Sequence, residues 1–223
     1  MIPQARRRAY ACATGAITVG AVVMGLPEMS WVQASGPATP GHEAMDCQTC
    51  HEEAPGTMRQ QLQANVAYWL GRRLTQARVR FDHVRVDTCV DCHERPADRH
   101  AIARFREPRF HAARKALGGA DCIGCHTEHQ GRRVTASVDA CRHCHAETEV
   151  KDDPASPSHA TLMASEAWSS CLRCHDFHGN HDHAAPAVLT EALTPEQVEA
   201  HLAGRGADVY GAPVVRARSE VTP

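Results

Sequence analysis

The sequence predicts a mostly α chain with little regular structure, built from short helices and loops. Three observations predict it. Aromatic residues make up only 4% of the 223 positions and apolar residues are scattered, so a conventional core is hard to assemble. A few short segments carry helical spacing with caps and stops, and no segment alternates as a strand would. Finally, a Cys-x-x-Cys-His stretch occurs five times and consumes ten of the eleven cysteines.

The helices can be read one by one. "MRQQLQANVAYWLG" places Leu62, Val66 and Trp69/Leu70 at helical spacing and ends at Gly71. "EPRFHAARKALGG" opens with Pro108 near the first turn and stops at Gly118, which puts His111 one turn into a short helix. "SPSHATLMASEAW" can be capped by Ser156 or Ser158, with His159 following. "TPEQVEAHLAG" has Thr194 as cap, Pro195 at the first helical position and Gly204 as stop.

The five repeats are "CQTCH" (Cys47, Cys50, His51), "CVDCH" (Cys89, Cys92, His93), "CIGCH" (Cys122, Cys125, His126), "CRHCH" (Cys141, Cys144, His145) and "CLRCH" (Cys171, Cys174, His175). A lone Cys-x-x-Cys fits a redox pair or half a zinc site equally well. Five copies, each followed at once by histidine, do not: the chance coincidence is on the order of one in a million. Two thiols so spaced can each add to one porphyrin vinyl group while the adjacent imidazole reaches the iron, so each copy reads as one covalent haem c. The fold class becomes a multihaem cytochrome c, with short helices and loops wrapped around five covalently bound haems. The macrocycles and their iron ligation then supply much of the buried surface and constraint, and without haem no stable structure is expected.

Export is the matching expectation, since c-type haem is attached outside the cytoplasm. "MIPQARRR" is a basic n-region, "AYACATGAITVGAVVMGL" a weakly apolar run containing Cys12, and "VQA" at 32–34 a small-residue cleavage site. Residues 1–34 therefore read as a cleaved Sec-type signal peptide, with an uncleaved N-terminal anchor as the rival. Residues 35–45 read as a linker, 46–205 as the pentahaem domain and 206–223 as a C-terminal tail. Removing the signal leaves about 38 residues per haem.

The second axial position of each iron decides what a haem does. Two histidines close the iron and favour electron transfer. Sixteen histidines less five in the motifs leave eleven candidates. His83, His111 and His159 each precede a motif by a short stretch, and His129 and His178 follow a motif histidine by three residues, so these five are the expected distal ligands. His42, His100, His143 and His181 stand next, with His42 foremost.

With these residues in view, the chain resembles the small periplasmic multihaem cytochromes c, and within them the class III, cytochrome c3-like proteins and the pentahaem electron donor of periplasmic nitrite reduction. The resemblance rests on the five motifs, on the Phe81-x-His83 element and on the spare histidines, and covers 42 to about 183. It implies bis-histidine haems in close pairs, along which electrons hop between docking surfaces.

Charge separates the ends: residues 57–116 hold 13 Lys/Arg against 6 Asp/Glu, and residues 139–199 hold 3 against 11. This reads either as arginines recruited to haem propionates or as a dipole that orients two redox partners. Beyond residue 34 the chain has 21 Lys/Arg against 25 Asp/Glu and few aromatics, which sets nucleic acid aside. The expected partners are redox proteins: a membrane quinol-oxidising cytochrome as donor, and a periplasmic reductase or another cytochrome as acceptor. Membrane contact is expected only if the N-terminal segment stays. The leading function is a periplasmic electron carrier and not an enzyme. Its rivals are a multihaem oxidoreductase acting on a small nitrogen or sulfur oxyanion at one open iron, and a membrane-anchored quinol-oxidising subunit.

Overall fold

The computed structural model describes residues 4–24, 36–95, 98–119 and 121–218. The proposed cleavage site at 32–34 lies outside them. Among the described residues there is no strand, only isolated bridges such as Glu53 to Phe81 and Ser156 to Val188. The helices are α1 (Gln4–Met24), α2 (Cys47–Cys50), α3 (Met58–Trp69), α4 (Val86–Cys92), α5 (Ile102–Phe105), α6 (His111–Ala116), α7 (Arg142–His145), α8 (His159–Ala164), α9 (Cys171–Cys174) and α10 (Pro195–Leu202). Short 3-10 turns lie at Pro108–Phe110, Cys122–Gly124, Val138–Cys141, Trp168–Ser170 and Leu189–Glu191. The mostly α, loop-rich class read from the sequence is the class observed.

Local chemistry explains the boundaries. Thr57 and Thr194 each cap a helix through a reciprocal box with the glutamine three residues on, Gln60 and Gln197. Ser158 caps α8 by accepting from the Thr161 N–H. The stops at Gly71 and Gly204 have φ of 69° and 73°, the left-handed conformation that glycine adopts without a Cβ clash. Pro108 sits in a 3-10 turn, so the α-helix begins at His111 itself.

Apolar burial is sparse. Among the described residues the buried apolar positions are Ala54, Ala113, Trp168, Val198, Leu202, Ala203 and Tyr210, and no side chain is fully enclosed. Hydrogen bonds hold much of what remains. Tyr210 donates its hydroxyl to the Leu172 carbonyl at 2.5 Å, the Val214 N–H donates to Asn180 and the Arg218 N–H to Cys92, so the segment after 206 is fastened over the last two-fifths of the chain and α4. α1 is exposed from 4 to 23, and among the described residues no helix is long and apolar enough to cross a membrane.

Candidate haem-binding site

Each motif is one helical turn. In four of the five, the histidine N–H donates to the carbonyl of the first cysteine: His51 to Cys47 (2.9 Å), His93 to Cys89 (2.8 Å), His126 to Cys122 (2.8 Å) and His175 to Cys171 (2.9 Å). In the fourth motif His145 is itself the last residue of α7. One turn sets both thiols and the imidazole on the same side of the backbone, because residues three and four apart are neighbours on a helix. Among the described residues no motif cysteine is in a disulfide.

The motif histidines do not stand alone. His51 lies 6.3 Å from His129, His93 5.9 Å from His42, His126 6.0 Å from His178, His145 6.1 Å from His100 and His175 6.1 Å from His159, measured between ring centroids. Each pair joins one motif histidine to one outside the motifs, and no histidine is used twice. Imidazole nitrogen binds a metal at about 2 Å, and the ring centre lies about 1 Å further, so two rings on opposite sides of one ion stand about 6 Å apart. The residues present therefore fit haem iron in all five places.

Orientation supports the fit. An imidazole whose Nδ1–H is engaged presents its bare Nε2 to a metal. His51 donates Nδ1–H to the Asp82 carbonyl (2.8 Å), His126 to that of Arg133 (2.7 Å), His100 to that of Phe177 (2.6 Å) and His129 to that of Gly36 (3.2 Å). His42, His159 and His178 donate to the carboxylates of Glu128 (2.6 Å), Asp153 (2.7 Å) and Asp98 (3.0 Å). His145 Nδ1 meets the Thr148 hydroxyl at 3.3 Å. Burial lowers the pKa of His93, His126, His145, His175 and His178, which favours the neutral, ligating ring. Glu128 is also held low: burial works to raise it, and the bonds from Thr39 and His42 outweigh that.

Two of the expected distal histidines are placed elsewhere. The His83 Nε2 is taken by the Arg78 guanidinium, and His111 is exposed at the start of α6. Their places beside His93 and His145 are held by His42 and His100. His42 lies five residues ahead of the first motif, and His100 closes the stretch "CHERPADRH", so both were visible as spare histidines, without a local mark of which motif they serve. Of the remaining histidines, His183 donates its Nε2–H to the Cys174 carbonyl (2.9 Å). His181 and His201 face each other edge-on at 6.4 Å, but neither follows a cysteine pair; His181 is tied to Asp176 and His201 accepts from Arg133.

The pairing laces the centres together. His126 and His129, three residues apart, belong to two different pairs, as do His175 and His178. His129 takes a left-handed φ of 61°, a conformation that few non-glycine residues adopt. The first cysteines of neighbouring motifs also meet. α4 packs on the 122–124 turn, and the 138–141 turn packs on the 168–170 turn. Each thiol shifts its partner's pKa: Cys89 is raised by Cys122 and Cys141 by Cys171, while Cys122 and Cys171 are lowered to about 7.

The class these features define is a multihaem c-type cytochrome. Residues 41–146 match the family model of cytochrome c3, a stretch just under half the chain that includes the first four motifs. This region is similar to cytochromes of the class III type and supports an electron-transfer cytochrome with covalently bound haem. Neither the curated proteins nor the solved structures include a significant match.

Proposed function

We propose that the protein is an exported pentahaem cytochrome that carries electrons between redox protein partners, with axial pairs His51–His129, His93–His42, His126–His178, His145–His100 and His175–His159. The observation that carries this reading is the set of five ring pairs at 5.9–6.3 Å, each with one motif histidine. Haem c supplies a one-electron ferric–ferrous couple. The chain's own part would be to hold each haem between two imidazoles, to orient eight of the ten rings through their Nδ1 bonds, and to keep neighbouring centres close by letting one short segment serve two of them. A closed iron leaves no position for a substrate, so the arrangement favours a carrier over a reductase of small oxyanions. The donor we propose is a quinol-oxidising membrane cytochrome, and the acceptor a periplasmic reductase or cytochrome.

The test combines haem counting with ligand replacement. The mass of the denatured protein should show five haems, falling to four in Cys89→Ala/Cys92→Ala. The reduced wild type should show no spectral shift with carbon monoxide, whereas His42→Ala and His100→Ala should each open about one centre in five. His83→Ala and His111→Ala should open none. Carbon monoxide binding to the wild type would move the oxyanion reductase to the front, and binding only in the latter two variants would overturn the pairing.

A further inference from the structure

Between His51 and Cys89 the chain makes its longest excursion between motifs, 37 residues. Its main element, α3, is built inside out. The buried edge is polar: Gln61 and Asn65 are 4% and 5% exposed. Gln61 donates to the carbonyls of Ala54 and Gly56 (both 2.9 Å) and accepts from the Arg80 N–H (2.9 Å). Asn65 exchanges two bonds with Ala77 (2.7 and 3.0 Å). These bonds tie α3 to the chain just before it and to the returning segment, and satisfy the polar edge internally.

The apolar stripe faces outward. Met58, Leu62 and Val66 are about half exposed, Leu70 is 60% exposed, Trp69 72%, and Leu74, just past the helix, 97%. Arg59, Arg72 and Arg73 are exposed beside them. From 54 to 81 the sequence has five arginines and no aspartate or glutamate. An exposed helix end presenting Trp and Leu, with exposed arginines next to them in the chain whose long stems can lie along apolar surface while the guanidinium reaches phosphate, has the make-up of an interfacial membrane contact. A two-fold pairing of this face with a second copy would set these arginines against their own images, a like-charge arrangement that disfavours it.

We propose that the α3 hairpin docks this protein on an anionic phospholipid bilayer. The site is separate from the N-terminal segment and needs no anchor. The hairpin is joined directly to the first motif: the Ala54 N–H donates to the Arg80 carbonyl, the Asp82 N–H donates to Glu52, and the His51 ring lies 5.8 Å from Phe81. Docking therefore turns the first motif toward the membrane. Its use, to receive electrons from a membrane-bound donor, rests on the electron-transfer reading; the docking itself does not.

The test is co-sedimentation of the haem-loaded protein, as isolated from the producing cell, with vesicles of phosphatidylethanolamine and phosphatidylglycerol, and with phosphatidylcholine vesicles as the neutral comparison. The N-terminus is left the same in every variant. Binding is expected on the anionic vesicles, to fall at high salt, and to weaken at least about tenfold in both Trp69→Gln/Leu74→Gln and Arg72→Gln/Arg73→Gln. No binding, or equal binding by the variants, would overturn the proposal. So would a change in the haem spectrum of Trp69→Gln/Leu74→Gln, which would mean that the stripe covers a haem, or a dimer in solution that the same variant dissociates. None of these outcomes bears on the haem count or the carbon monoxide test.

Discussion

Helices α3 and α10 have the same ends and opposite sides. Both begin with a threonine cap locked to a glutamine three residues later, and both end on a glycine with a matching pair of bonds: Gly71 and Arg72 donate to Tyr68 and Ala67, and Gly204 and Arg205 donate to His201 and Ala200. Yet α10 buries Val198 and Leu202, whereas α3 buries Gln61 and Asn65 and leaves Leu62, Val66 and Trp69 in solvent. The ends of a helix are set by residues within one turn. Which side turns inward is set by what the rest of the chain offers. α10 lies on α9, the turn of the fifth motif; the buried edge of α3 instead bonds the backbone just before the helix and that of its return segment.

The largest expected effect lies on the α10 side. Leu202 is 5% exposed, and its carbonyl accepts from the Val134 N–H. Leu202→Ala should destabilise the haem-loaded protein by about 2–5 kcal/mol, the usual cost of emptying a packed aliphatic site, seen as a lower guanidinium midpoint in far-ultraviolet dichroism. The corresponding change in α3 tests the inverted helix. By hydrophobic pattern Gln61→Leu should help; by the structure it removes the partner of the Ala54 and Gly56 carbonyls and of the Arg80 N–H, at about 1–3 kcal/mol. Faster amide exchange at Arg80 and Ala77 is the expected result, and a stabilised hairpin would show that the buried polar edge is not what holds α3.

What could be read from the sequence follows the same division. The five motifs, the caps at Ser158 and Thr194, and the stops at Gly71, Gly118 and Gly204 all concern groups a few residues apart, and the sequence carries them directly. The face of α3 does not belong to that set. Spacing of Leu62, Val66 and Trp69 foretells a helix, but it says nothing of whether a partner surface exists. Axial pairing is harder still. His83 looks suited to the second motif because it lies six residues before Cys89, but His93 meets His42, 51 residues away in the chain, while Arg78 occupies His83. Proximity in sequence is a poor guide in a chain whose segments are laced across several centres.

The smallest effect is the sharpest check on whether caps and faces are independent. Thr57→Ala and Thr194→Ala each remove a side-chain oxygen that accepts a first-turn N–H, from Gln60 in one case and Gln197 in the other, and keep the backbone N–H that donates back to the glutamine. A lost N-cap costs about 1 kcal/mol, which should speed local amide exchange by about fivefold around Leu62 in one helix and Val198 in the other. If capping is local, the two accelerations should match even though one helix rests on polar groups and the other on apolar ones. A cap in α10 that costs several times more than its twin in α3 would mean that Thr194 acts through the packing of Val198 and Leu202 on the last motif, and that the two helix ends are alike in form only.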